Sequence, residues 1–246
     1  MERPNRFIAL VELEGKKETV HVKNTGRCRE LLIAGATVYL EDFQGRMGTR
    51  KTRWDLVAVE KRSQRDRAQA GDTPSAIFIN MDAQAPNKVV WEALKDGSLS
   101  LPGFPGRADY VKAEAVYGGS RLDFYVEAPA GDEEKGEGAK RVGAYIEVKG
   151  VTLEEDGVAR FPDAPTLRGI KHIRELCGAR EKGFYAYVIF VIQMEGIRWM
   201  EPNDRTHKAF GDALREAGER GVTILALDCR AEETGLTLGK EIPVRL

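Results

Sequence analysis

Two carboxylates and a lysine carry the most informative chemistry in this chain. In Ala144-Tyr145-Ile146-Glu147-Val148-Lys149 apolar and polar residues alternate. An extended segment therefore turns Ala144, Ile146 and Val148 to one face and Tyr145, Glu147 and Lys149 to the other. Glu147 and Lys149 then stand side by side, roughly 7 Å apart at their backbones. Upstream, Arg121 to Glu127 alternates in the same way, with Leu122, Phe124 and Val126 facing a core and Asp123 projecting with Tyr125 and Glu127. Paired as a hairpin, the two segments would bring Asp123 to Glu147. Carboxylate oxygens are the hard donors that Mg2+ or Mn2+ prefers. A bound ion lowers the pKa of its water and stabilises charge developing on phosphate. Lys149 would orient that water or meet the negative charge that grows in the transition state. With neither metal nor partner, adjacent carboxylates repel and one tends to protonate. The set suits phosphodiester hydrolysis, although Glu-x-Lys on a strand is also an ordinary solvated pattern.

The surrounding elements must hold that pair. The first 80 residues read as short strands: Phe7 to Leu13, Thr19 to Val22, Thr37 to Leu40, Trp54 to Val59 and Ala76 to Ile79. Turn residues such as Glu14-Gly15-Lys16 separate them, which predicts a small barrel or sandwich, an OB-like barrel being preferred. From Asn87 the pattern changes. A short helix around Val89, Val90 and Leu94 precedes extended segments at Tyr110 to Val116, Arg121 to Glu127 and Gly143 to Lys149. A helix around Ile170 to Ala179, a buried strand Tyr185 to Ile192, a helix from Arg205 to Glu219 and a strand Val222 to Leu227 follow. This order predicts an all-β unit over residues 1–82 and an α/β unit over 83–246, its sheet covered on both faces. Pro129 to Gly138 is polar and glycine-rich and reads as a hairpin tip.

Of the 246 residues, 42% are hydrophobic and 31% charged, as expected for a globular, cytoplasmic protein. No apolar run approaches the roughly 20 residues that cross a bilayer, and the start, Met1-Glu2-Arg3-Pro4, lacks the apolar core of a signal peptide. Cys28, Cys177 and Cys229 read as free thiols. A net charge of -1 means that nucleic-acid binding needs a local basic surface. Gln44 to Arg67 offers eight basic residues, among them Arg50, Lys51 and Arg53, against three acidic ones, as a phosphate-binding surface or a solvated loop. Asn24-Thr25-Gly26-Arg27 is a tight turn or, through Asn24, Arg27 and Arg29, a nucleic-acid contact. Asp163, ahead of Pro165, reads as a helix N-cap in preference to a catalytic group, and Trp54 and Trp91 as core residues in preference to base-stacking rings. Neither a nucleophile elbow nor a phosphate loop is present.

Ser120-Arg121-Leu122-Asp123-Phe124 followed by Ile146-Glu147-Val148-Lys149 resembles the PD-(D/E)XK nuclease core. A broader resemblance rests on His21-Val22-Lys23-Asn24-Thr25-Gly26, Glu114-Ala115-Val116-Tyr117-Gly118, Phe161-Pro162-Asp163-Ala164 and Arg168-Gly169-Ile170-Lys171-His172-Ile173-Arg174-Glu175-Leu176. With these segments the chain resembles the sugar fermentation stimulation protein A family over nearly its whole length. That resemblance implies an OB-like domain, a nuclease-like mixed sheet flanked by helices, DNA binding and metal-dependent cleavage of DNA or RNA. It carries Asp123, Glu147 and Lys149 onto the nuclease motif, makes Glu114 a further metal ligand, and sets Lys171 and His172 where related nucleases touch phosphate. Ile170 departs from it, because enterobacterial members carry glutamine there, an auxiliary motif of exonuclease-like relatives. The rival function is a DNA-binding regulator of sugar-metabolism genes that keeps the fold without cutting, and a third is an enzyme acting on a small phosphate compound. Self-association into a homo-oligomer is left open.

Overall fold

The computed structural model describes residues 2–62, 76–131 and 140–246. Arg65 and Arg67 of the basic stretch, and most of the expected hairpin tip, lie outside them.

Six strands open the chain: β1 (Glu2–Asn5), β2 (Ile8–Leu13), β3 (Lys16–Val22), β4 (Val38–Asp42), β5 (Trp54–Arg62) and β6 (Ala76–Asn80). Glu14 and Gly15, both at positive φ, make the two-residue turn that joins β2 to β3. The sheet runs β1-β2-β3-β5-β4, with β6 also on β5, and β3 pairs with β5 in parallel. Val20, Val22, Leu56, Val59 and Ile79 fill its interior. All five strands read from the alternation are present, whereas β1 carries no apolar alternation to announce it.

Helix α1 (Ala85–Asp96) follows, with Pro86 in its first turn and left-handed Gly97 closing it. Strands β7 (Tyr110–Tyr117), β8 (Ser120–Pro129) and β9 (Arg141–Val151) form an antiparallel meander. After β10 (Glu154–Glu155) and β11 (Val158–Phe161) come α2 (Leu167–Glu181), β12 (Tyr185–Ile192), β13 (Trp199–Pro202), α3 (Asp204–Glu219), β14 (Thr223–Glu232) and β15 (Gly235–Glu241). The larger sheet has the order β15-β14-β12-β9-β8-β7 and is mixed, since β9, β12 and β14 run parallel. Central β12 is buried from Ala186 to Ile192, as a parallel strand covered on both faces must be. Val89, Val90 and Leu94 of α1 pack on Phe124, Ile146 and Val148. Ile173 and Leu176 of α2, with Phe210 and Leu214 of α3, pack with Val188 and Phe190.

Three features depart from the sequence reading. A third sheet, β10-β11-β13, interrupts the expected alternation; its strands of two to four residues are too short to show a period. Thr166, not Asp163, caps α2, its hydroxyl accepting from Gly169 N at 3.0 Å. Trp91 stays 42% exposed on the outer side of α1. Among the described residues no helix is long and apolar enough to cross a membrane.

Candidate metal centre

The centre forms where the β8–β9 ladder opens. Backbone pairing of these strands ends at Phe124↔Ile146, and the Asp123 carboxylate takes the place of the next pair: its Oδ2 accepts from Val148 N at 2.7 Å. Oδ1 accepts from Nδ2 of Asn87, in the first turn of α1, at 2.8 Å. That position also favours a negative charge, because the helix dipole presents its positive end. The register of β7 on β8 likewise skips one position, running from Ala113↔Phe124 to Ala115↔Leu122, and Glu114 between them has a left-handed φ of 52°. Leu122 accordingly belongs to the core under α2, while Phe124 and Val126 pack under α1. Strict alternation had put all three on one face. The break turns Asp123 towards Asn87, away from the Tyr125 and Glu127 it was expected to accompany.

Glu147 is 3% exposed. Its Oε1 accepts from Nδ1 of His172, on α2, at 2.6 Å and is ion-paired with the Lys149 ammonium. Its Oε2 is buried and, among the described residues, has no hydrogen-bond partner. Burial works to raise the Glu147 pKa, but the His172 hydrogen bond and the Lys149 charge outweigh it and hold this carboxylate below its ordinary value. Burial and the nearby Glu147 charge push Asp123 up instead. Two neighbouring carboxylates thus differ in charge preference, the pattern that makes this pair the candidate site. A divalent ion fits here: the orphaned Oε2 is a hard donor without a partner, and Asp123 supplies a second oxygen ligand.

The other expected site residues are distributed more widely. Glu114 is exposed and pairs with Arg121 at 3.4 Å, apart from the two carboxylates. Among the described residues no three His, Cys, Asp or Glu side chains are grouped to hold a metal. Lys171 reaches Gly119 O at 2.5 Å and ties α2 to the β7–β8 turn. His172 corrects the phosphate-contact reading: it is 5% exposed, and both ring nitrogens are engaged inside the protein. Asn24 is buried and makes its turn by accepting from Gly26 N at 2.7 Å. A Cβ on Gly26 would lie 2.5 Å from Asp163 Oδ2, so glycine is needed for that close approach. Arg27 N donates to the same oxygen at 2.8 Å, while the Arg27, Arg29 and Lys51 side chains remain exposed. Arg50 is paired with buried Asp55, and Arg53 forks onto Asp42 at 2.7 and 2.6 Å. Arg46 pairs with Glu41 and Lys61 with Glu154, so carboxylates match four of the six bases of that stretch that lie among the described residues.

Beyond Lys149 the chain enters a cleft of about 630 Å³ between barrel and sheet, lined by Arg6, Thr25, Arg27, Gly150, Thr166 and Gln193. Asn87, Arg168 and His172 were not singled out from sequence as holding the carboxylates. The four-residue spacing of Arg168 and His172, which puts both on one helix face, was the available signal.

Residues 84–235 match the family described as the sugar fermentation stimulation protein RE domain, and residues 1–65 match the SfsA N-terminal OB domain. The chain is 48% identical over 248 residues to the sugar fermentation stimulation protein homolog of Desulfitobacterium hafniense (strain Y51), covering all of this chain and 94% of that protein. It is equally 48% identical over 246 residues to the homolog of Ruminiclostridium cellulolyticum, covering all of this chain and 95% of the relative. Among solved structures, Pyrococcus furiosus SfsA in complex with Ca2+ superposes with a TM-score of 0.77 at 27% identity, over all of this chain and 94% of the other.

Proposed function

This chain belongs to the sugar fermentation stimulation protein family, and we propose that it is a divalent-metal-dependent nuclease that hydrolyses phosphodiester bonds of DNA and/or RNA. The observation that carries this reading is the buried, unpartnered Oε2 of Glu147 beside Asp123, with the Lys149 ammonium held at the same carboxylate. The Ca2+ bound by the Pyrococcus furiosus relative supports it, because Ca2+, Mg2+ and Mn2+ share a preference for oxygen donors. Asp123 and Glu147 would hold the ion, whose chemistry when bound is to acidify water and to offset charge on phosphate.

The chain's own residues do the rest. Asn87 and Val148 N fix the Asp123 carboxylate, so its oxygens are placed before substrate arrives. Lys149, mostly buried against Glu147, presents a fixed positive charge where a phosphorane would gather negative charge. The barrel would hold the strand, with the exposed side chains of Arg27, Arg29 and Lys51 neutralising its phosphates. In the test, the unaltered chain and an Asp123→Ala/Glu147→Ala variant are incubated with single- and double-stranded DNA and RNA in Mg2+ or Mn2+. Cleavage by the former alone is expected. Equal degradation by both overturns the proposal, and salt-sensitive binding without cleavage under either metal replaces it with the non-cutting DNA-binding regulator.

A further inference from the structure

Arg168 stands in the first turn of α2, where a cation opposes the helix dipole at a cost of about 0.3–1 kcal/mol. Its Nε donates to His172 Nε2 at 3.3 Å, one helical turn on. An arginine only donates, so Nε2 must be the lone-pair nitrogen and Nδ1 must carry the proton. Nδ1 lies 2.6 Å from Glu147 Oε1. The hydrogen-bonded line therefore runs in one direction: guanidinium to imidazole, imidazole to carboxylate. It saturates Oε1 together with Lys149 and leaves Oε2 as the oxygen on offer. Arg168 itself is exposed, and among the described residues its terminal nitrogens meet no acceptor.

Resting on the nuclease reading above, we infer that Arg168 binds a phosphodiester oxygen of the substrate strand through those free nitrogens and, through His172, fixes the Glu147 carboxylate for its metal ion. Arg168 is then a substrate-binding residue and His172 a positioning residue. The guanidinium suits both tasks because its donors fork in one plane: Nε faces inward while the terminal nitrogens face solvent. Lysine has no such fork. Partners that orient a ligating group typically contribute 10- to 100-fold to metal affinity, and one lost phosphate contact lowers the salt slope of nucleic-acid binding by about one.

Calorimetric titration of the full chain with Ca2+ alone, and binding of a labelled single-stranded oligonucleotide in EDTA over a salt series, test both halves without relying on cleavage. His172→Phe should weaken Ca2+ binding about 10- to 100-fold, whereas His172→Asn, which keeps a donor towards Glu147, should recover most of the loss. Arg168→Ala should weaken both ligands and reduce the salt slope by about one. Arg168→Lys should restore the oligonucleotide but not Ca2+. Unchanged Ca2+ affinity in His172→Phe, or an unchanged salt slope in Arg168→Ala, overturns the inference while the nuclease reading stands. No Ca2+ binding by the unaltered chain sinks the metal centre and the inference together. Should His172→Phe fail to fold, exposed Arg168→Ala decides the matter.

Discussion

Asp55 in the barrel and Glu147 in the larger sheet are built from the same parts. Each is a nearly buried carboxylate on a strand, 2% and 3% exposed, that takes a histidine Nδ1 and a basic side chain. Asp55 has His21 at 3.1 Å and Arg50, and Glu147 has His172 at 2.6 Å and Lys149. What differs is the remainder. Among the described residues Asp55 has no oxygen in the set of buried, unpartnered atoms, whereas Glu147 has the orphaned Oε2 and a charge that raises the neighbouring Asp123. A carboxylate, a histidine and a base do not by themselves make a site. An unmet oxygen next to a second, repelled carboxylate is what asks for a cation.

The sharpest way to break this comparison is to neutralise each carboxylate in turn. Glu147→Gln should lower Ca2+ affinity and nuclease turnover by more than about 100-fold, the scale on which a fixed charge acts in a site sheltered from water. Asp55→Asn should leave both near their starting values; metal titration and a turnover assay on the two variants read the contrast. Stability should run the other way. Asp55→Ala strips partners from Arg50 and His21 and should cost about 2 kcal/mol in urea unfolding. Asp123→Asn removes a charge that burial and Glu147 both disfavour, so its melting temperature in EDTA should equal or exceed that of the unaltered chain. A fall of several degrees would show Asp123 to be structural.

Smaller effects refine the picture. Thr166→Ala removes the α2 cap and should destabilise the chain by about 1 kcal/mol without displacing Glu147, since the His172 bond arises a turn and a half later. Asp42, forked by Arg53, is held down at about 2 from an ordinary 3.8, and its side-chain carboxyl resonance should titrate there. Because the folded value is the depressed one, this pair contributes stability above pH 3.8 and loses it as pH falls through 2. Arg53→Ala should raise Asp42 towards the ordinary range, with Gln44 N and Arg46 still lowering it, and leave the metal centre untouched.

Much of this was legible in the alternation. Tyr185 to Ile192 carries its own length, and the faces of Glu147 and Lys149 follow from a period of two. What was not legible lies where a local rule is interrupted or where segments distant in sequence fold together. Leu122 changes core because the ladder twists at Glu114 and Asp123, and period counting assumes an unbroken strand. For the basic stretch, left open between a phosphate surface and a solvated loop, the charge sum counted Asp55 but not Asp42 and Glu154, which lie outside it and fold against it. His172 read as a surface contact, although its helix lays that face on the sheet.

One further consequence lies in how the hydrophobic interior is shared. Val20, Leu56 and Ile79 of the barrel belong to the same buried cluster as Ile173, Phe190 and Phe210 of the helical layer, and Gln193 Nε2 crosses between the two parts to Asn80 O at 3.0 Å. Two folds with one interior have no seam along which to come apart. In a scanning calorimeter the chain should absorb heat in a single peak, with van't Hoff and calorimetric enthalpies in agreement.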